Sequence, residues 1–138
     1  MNMDWARRWL NDSFNKADVA ALQKLYHPKV KFADVPLGLD ADGWDGGLRQ
    51  FFEGFFAPEA GSHKFLPDTY IGNEREGVVE WTWHATMGEA DLFQVGSSCK
   101  GKSFQVRGNS VFRFDASGKV VEERDYWDLA TVLRQLKS

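Results

Sequence analysis

The chain has 138 residues, of which 43% are hydrophobic and 14% aromatic, and this composition suits one domain with a substantial core. The formal net charge of -3, with Lys and Arg scattered along the chain, excludes the positive field that binding to nucleic acid needs. We therefore expect one domain over residues 1–138 and no nucleic acid partner.

Other features concern the cellular compartment and metals. The N-terminal sequence MNMDWARRWLND lacks the apolar segment of a signal peptide, and no apolar run is long enough to span a bilayer. A single cysteine, Cys99, permits no internal disulfide. We therefore expect a cytoplasmic protein with no membrane partner. No Cys or His pair has the spacing of metal ligands, so we expect no metal.

Helices are predicted in the first half of the chain. Apolar residues recur at helical spacing over residues 3–15, which indicates an amphipathic helix. Asp18 stands at the N-cap of a second helix that ends before Pro28. A turn-rich segment, PLGLDADGWDGG, follows over residues 36–47, and apolar spacing then predicts a third helix over residues 48–56.

A strand is predicted over residues 29–34, between the second helix and the turn-rich segment. Val30, Phe32 and Asp34 share one side of this alternating pattern, which is typical of a half-buried strand. The phase of the pattern directs Asp34 inward. Because Asp34 precedes a Val-Pro turn, the alternative is that it only caps that turn.

Strands dominate the second half of the chain. They are predicted over residues 64–70, 78–87, 104–114 and 119–127. Residues 116–118 form a plausible hairpin turn, and Asp128 is placed to cap a final helix. Helices followed by an antiparallel sheet and a last helix predict an α+β architecture.

Four segments carry a resemblance to a known family: LYHPKVKFADVPLG, VVEWTW, SVFRFDASGKVVEE and RDYWDLATVLRQL. With them the chain resembles the SnoaL-like branch of the nuclear transport factor 2-like superfamily, which includes ketosteroid isomerase, limonene epoxide hydrolase, scytalone dehydratase and polyketide cyclases. The resemblance implies a cone in which a curled, mostly antiparallel sheet and N-terminal helices enclose a pocket. It also implies a homodimer, no cofactor and a small apolar ligand. The implied ligand-binding residues are Phe32, Phe55, Trp81, Trp83, Val106, Ser110, Trp127 and Val132.

Asp34 is the first catalytic candidate that the resemblance implies. It matches the position of the general base in ketosteroid isomerases. The phenol and the neutral carboxylic acid of that enzyme's oxyanion hole fall near Leu10 and Ser110 in this chain. Since strong donors to the developing enolate are missing, the resemblance argues against steroid isomerisation.

Asp125 is the second catalytic candidate. It takes the place of a catalytic Asp in the closing motif of limonene epoxide hydrolase and of the Asp base in SnoaL-type cyclases. The central strand has Trp83 and Ala85 where the epoxide hydrolase has an Arg and an Asp, and a Thr-His pair of many cyclases reads Thr86-Met87 here. The chain therefore lacks part of the epoxide hydrolase motif and part of the cyclase motif.

The strand pattern leaves the orientation of Asp125 open. Val121, Glu123, Asp125 and Trp127 lie on one side of the strand, but the pattern does not say which side faces the core. The alternative to a role in the pocket is an ion pair with an Arg such as Arg107 or Arg113.

The functional hypothesis is a cofactor-independent isomerase or cyclase that acts on a small, largely apolar molecule, with polycyclic compounds among the candidate substrates. Asp34 and Asp125 share the proton transfers, one as base and the other as acid. Two alternatives stay open at this point. One is a non-catalytic module that binds a hydrophobic ligand, and the other is an epoxide hydrolase-like enzyme with altered catalytic residues.

Overall fold

A six-stranded sheet organises the protein, and the computed structural model describes residues 1–138. The strands are β1 (Tyr26–Asp34), β2 (Leu39–Asp42), β3 (Gly61–Gly72), β4 (Glu76–Met87), β5 (Ser103–Phe114) and β6 (Val120–Trp127). The helices are α1 (Met3–Leu10), α2 (Val19–Leu25), α3 (Arg49–Phe56) and α4 (Leu129–Leu136). Short helical turns cover Phe14–Lys16, Trp44–Leu48 and Pro58–Ala60.

The strands lie in the order β2-β1-β6-β5-β4-β3. All neighbouring pairs are antiparallel except β1 and β6, which run parallel. The predicted α+β fold is confirmed. The parallel pair joins the first strand of the chain to the last, and its register sets Asp34 beside Asp125.

Helix α1 packs against the sheet through its tryptophan side chains. Trp5 is fully buried and packs its ring against the edges of Phe112 and Phe114, at centroid distances of 5.0 and 4.9 Å. The helix is shorter than the predicted range of 3–15, since it ends at Leu10. The sequence Asn-Asp-Ser that follows competes for backbone hydrogen bonds, and the Ser13 hydroxyl donates to the Arg8 carbonyl.

Two side-chain amides complete unpaired parts of the sheet. Asn15 accepts from the backbone N–H of Phe65 on β3 at 2.9 Å and donates to its carbonyl at 2.7 Å. Gln135 on α4 makes the same pair of bonds with Gln105 on β5, at 2.9 and 2.8 Å. Each side-chain amide makes the two hydrogen bonds that a neighbouring strand would make with that residue. Segments from both halves of the chain are therefore fixed to the sheet.

The structure contains a strand, β2, within residues 36–47, where the sequence predicted only a turn-rich segment. Its four residues pair with β1, from Asp42 opposite Lys31 to Leu39 opposite Asp34. Only Ala41 is buried, so the strand is too short and too exposed to show an alternating pattern.

The predicted helix caps have different outcomes. Asp18 caps α2 by accepting from the backbone N–H of Ala21 at 3.0 Å, as predicted. Asp128 occupies the N-cap position of α4, but its carboxylate accepts from the Thr131 hydroxyl at 2.5 Å. None of the helices combines the length and apolar character that a bilayer crossing requires.

Candidate active site

An aromatic cavity lies between the inner face of the sheet and the helices α1 and α3. Its hydrophobic lining consists of Trp9, Phe14, Phe51, Phe52, Phe55, Phe65, Trp81, Trp83 and Trp127. The remaining lining residues are Ser110 and three carboxylic acids, Asp34, Glu123 and Asp125. The empty space is about 420 Å³, including the open mouth. Aromatic side chains form most of the lining, and the polar groups are confined to one wall.

Strand pairing brings the three carboxyl groups together. Asp34 and Asp125 are register partners on the parallel strands β1 and β6, and the backbones of neighbouring strands lie about 4.8 Å apart. Glu123 precedes Asp125 by two residues and shares its side of β6. The structure thus places Asp125 on the cavity face and not on the outer face. Arg113, one of the alternative partners of Asp125, instead pairs with Glu76 and Glu122.

Glu123 receives a hydrogen bond from a buried tyrosine. The indole N–H of Trp9 donates to the Tyr26 hydroxyl at 3.0 Å, and that hydroxyl donates to Oε1 of Glu123 at 2.5 Å. Glu123 is only 1% exposed. Burial and the adjacent Glu123 carboxylate raise the pKa of Tyr26 well above its ordinary value, so the phenol stays protonated.

Asp125 has a matching arrangement on its other side. The indole N–H of Trp81 donates to the Ser110 hydroxyl at 3.0 Å, and Ser110 donates to Oδ1 of Asp125 at 2.6 Å. Asp125 and Glu123 lie two residues apart on β6, and both side chains line the cavity. Burial raises the pKa of both carboxyl groups, and the charge of Glu123 raises that of Asp125 further.

Asp34 is held separately. Its Oδ2 accepts from the indole N–H of Trp127 at 3.2 Å, and its Oδ1 accepts from the backbone N–H of Leu37 at 3.2 Å. Burial raises the pKa of Asp34, while these two donors lower it. Asp34 does cap the turn at Leu37, yet its carboxylate also lines the cavity, so the two readings of this residue are compatible.

A histidine fixes one aromatic wall. Nδ1 of His63 accepts from the indole N–H of Trp83 at 3.1 Å, and Nε2 lies 2.8 Å from the Ala60 carbonyl. Because both contacts need a neutral ring with its hydrogen on Nε2, His63 is uncharged, and burial lowers its pKa. The ring orients Trp83 and takes no part in the carboxyl cluster.

The structure distributes the predicted ligand-binding residues between cavity and core. Phe55, Trp81, Trp83, Ser110 and Trp127 line the cavity, together with Asp34 and Asp125.

Three predicted ligand-binding residues, Phe32, Val106 and Val132, are buried but do not line this cavity. Their part in ligand binding stays a prediction. The ring of Phe32 packs against Phe51 at 4.8 Å. Val132 is completely buried on α4, and α4 packs against β5, the strand that carries Val106.

Several cavity residues were missed by the sequence analysis. They are Trp9, Phe14, Phe51, Phe52, Phe65 and Glu123. Glu123 is the important omission among them. Its place two residues before Asp125 was a usable signal, since neighbours at that spacing share a strand face.

The curled six-stranded sheet with its helices matches the fold of solved nuclear transport factor 2-like structures. The sequence pattern of the SnoaL-like polyketide cyclase family matches residues 5–136, and the chain belongs to that family. No curated protein sequence matches the chain.

Solved structures of low sequence identity share the fold. A "putative polyketide cyclase" from Pseudomonas putida KT2440 has 17% identity and a TM-score of 0.82, covering 98% of both chains. Another from Xanthomonas campestris pv. campestris has 15% identity and a TM-score of 0.80, covering 95% of this chain and 93% of that one. A nuclear transport factor 2-like protein of unknown function from Burkholderia pseudomallei K96243 has 22% identity and a TM-score of 0.76, covering 99% and 98%. At these identities the likeness concerns the fold.

Proposed function

We propose that the protein is a cofactor-independent isomerase or cyclase that moves protons on a small, flat and largely apolar ring compound. One observation carries the proposal: two differently held carboxyl groups, Asp34 and Asp125, face the same aromatic cavity from neighbouring strands. Carboxyl groups in unlike environments are the usual means by which a site provides an acid and a base at one pH. Membership of the SnoaL-like family is consistent with this chemistry.

Asp34 is the proposed base. Its carboxylate takes a proton from a carbon next to a carbonyl group, and the electron pair of the C–H bond moves toward the carbonyl oxygen. Burial raises the pKa of Asp34, which makes the carboxylate a stronger base than an exposed Asp. The hydrogen bonds from Trp127 and Leu37 keep it ionised and aimed into the cavity.

Asp125 is the proposed acid. Its carboxyl O–H gives a proton to the carbonyl oxygen as negative charge develops there, so the product of this step is a neutral enol. Asp34 then gives the first proton to another carbon while Asp125 takes back the proton of the enol O–H, which re-forms the carbonyl group and completes an isomerisation. Alternatively the enol carbon attacks a second carbonyl group of the same molecule. The ring-closing C–C bond forms as the C=O π bond breaks, the new alkoxide takes the proton held by Asp34, and the enol O–H returns its proton to Asp125. The aromatic walls exclude water and so strengthen these interactions.

Deuterium exchange tests the proposed base without knowledge of the natural substrate. 2-Tetralone is a flat two-ring ketone, and its incorporation of deuterium from D₂O is followed by NMR. We expect the wild-type protein to accelerate exchange and Asp34→Asn to reduce the acceleration by about 10²–10⁴-fold. Asp40→Asn, on the exposed face of β2, is the matched control and retains the wild-type rate. Equal rates for Asp34→Asn and wild type would refute Asp34 as the base.

A non-catalytic module that binds a hydrophobic ligand is the second candidate. It is favoured by the fact that every polar side chain in the cavity already has a hydrogen-bond partner within the protein. Native mass spectrometry of freshly purified protein separates the two candidates. An apolar molecule that stays bound through purification supports the binding module, and an empty cavity with ketone exchange supports the enzyme. The epoxide hydrolase alternative has less support, because Trp83 and Ala85 cannot polarise an epoxide.

A further inference from the structure

We propose that Glu123 is a positioning residue that shares a single proton with Asp125 and thereby keeps Asp125 in its acid form. Tyr26 in turn keeps Glu123 ionised. The importance of this pair for catalysis rests on the proposed function. The existence of the shared proton does not, and it can be measured without any turnover.

The directions of the hydrogen bonds carry the inference. An indole N–H can only donate, so Trp9 uses the oxygen of Tyr26 as acceptor. The hydroxyl hydrogen of Tyr26 is then free to point at Oε1 of Glu123. By the same argument Trp81 donates to Ser110, and Ser110 donates to Oδ1 of Asp125. Two chains of donors therefore converge on the carboxyl pair from opposite sides.

Both final bonds are short, which indicates that the carboxyl pair carries negative charge. At 2.5 Å for Tyr26 to Glu123 and 2.6 Å for Ser110 to Asp125, both fall in the range of O–H donors to charged oxygen. A fully neutral pair would not favour such short bonds. A doubly ionised pair would place two negative charges side by side on one strand face, in a largely apolar cavity and without a positive partner. One proton and one negative charge satisfy both conditions.

No positively charged side chain from the surrounding elements changes the number of protons that Glu123 and Asp125 hold together. The titratable groups that face the pair are Tyr26 and Asp34, both from β1. The elements α1, α3, β3, β4 and β5 face the cavity with aromatic side chains and Ser110. The neighbouring Glu122 points to the other face of β6, where it pairs with Arg113 and Arg124. Burial and the charge of Asp34 therefore favour retention of the shared proton.

The wild-type protein provides the first test. Carboxyl carbons labelled with ¹³C report the protonation of Glu123 and Asp125 by their chemical shifts, and Glu123→Gln and Asp125→Asn assign the two signals. We expect one proton to remain on the pair at neutral pH, with the larger protonated character on Asp125. Two fully ionised signals at neutral pH would overturn the proposal, even if the variants did not fold.

The variants test how the proton is held. Glu123→Gln removes the neighbouring charge but keeps the shape, so the titration of Asp125 should move to lower pH by about one unit or more. The alkaline limb of the rate of ketone exchange should move in the same direction. Glu122→Gln is the matched control on the opposite face and should move neither midpoint. An unchanged titration of Asp125 in a folded Glu123→Gln variant would overturn the proposal.

Tyr26→Phe gives an independent result. Without its donor, Glu123 holds negative charge less well, so the shared proton should move toward Glu123 and its ¹³C signal should gain protonated character. A Glu123 signal that does not respond contradicts the role of Tyr26. Failure of the proposed function gives a different pattern: the shared proton is present, but no probe ketone exchanges at any pH.

Discussion

The indole N–H of Trp127 donates a 3.2 Å hydrogen bond to Oδ2 of Asp34, so a side chain of the last strand holds the carboxylate of the first. Trp127 also packs against Trp83 at a centroid distance of 5.2 Å. One residue therefore serves both as an apolar wall of the cavity and as a donor to the proposed base. The carboxylate of Asp34 is fixed in place by the same ring that keeps water away from it.

Trp127→Phe should shift the acid limb of ketone exchange to higher pH. The lost hydrogen bond favoured the ionised form of Asp34, so its loss raises the pKa of that carboxyl, by about one unit. Trp44→Phe is the matched control, because Trp44 is equally buried but its indole N–H has no acceptor. The pH–rate profiles of both variants provide the measurement. A shift in the Trp44 variant, or none in the Trp127 variant, contradicts the assignment.

Asp125→Asn should flatten the dependence of stability on pH. Because the pKa of Asp125 is raised in the folded state, its contribution is fully present below the unfolded pKa of about 4 and is lost as pH rises through the folded pKa. Glu123 and Asp34 act in the same direction. Urea unfolding at a series of pH values should show the wild type losing about 1 kcal/mol more than the variant between acid and alkaline pH. Parallel curves for the two proteins would show that Asp125 titrates as it does in the unfolded chain.

Gly108→Ala should destabilise the fold. A Cβ atom at this position would overlap the ring of Trp81 and the carbonyl oxygen of Tyr126. Displacement of Trp81 also weakens its bond to Ser110, so we expect a loss of about 1–3 kcal/mol in thermal or urea unfolding. Gly54→Ala makes the same chemical change on the exposed side of α3, where nothing lies within 4 Å of the new atom. That control should gain up to about 1 kcal/mol, since Ala is the better helix former.

Asn15→Ala should loosen the edge of the sheet. It removes the partner of both backbone groups of Phe65, which are partly buried, and should cost about 1–3 kcal/mol. Hydrogen exchange of the Phe65 amide should accelerate, and this readout distinguishes a local opening from global unfolding. Asn11→Ala, at an exposed position beyond α1, should leave both the stability and that amide unchanged. Retained protection of the Phe65 amide in Asn15→Ala would contradict the role of the side-chain amide.

Much of the fold was readable from the sequence because its periodicities are strong. The alternation of Val30, Phe32 and Asp34 predicted the buried face of β1, and all three are buried. β2 was not predicted, because its four residues pair at an exposed edge of the sheet, where no apolar pattern is required. The homodimer and the cytoplasmic location stay predictions.

The candidate site was only partly readable. Asp34 and Asp125 could be named from their strands and from the family resemblance, but their adjacency depends on the parallel register of β1 and β6, which alternation does not specify. Glu123 was missed for a related reason. The proposed role of Glu123 depends on Tyr26, a residue on another strand. No local sequence pattern predicts the hydrogen bond between Tyr26 and Glu123.

The pairing of β1 with β6 also bears on how the protein is made. On the ribosome, the segment that carries Asp34 emerges early, and its sheet neighbour is synthesised only after β3, β4 and β5. Until β6 emerges, β1 has β2 as its only neighbour and the cavity lacks the wall that β6 supplies, and contacts of such long sequence separation form slowly. Any activity of this polypeptide must therefore wait until β6 has left the ribosome and has paired with β1.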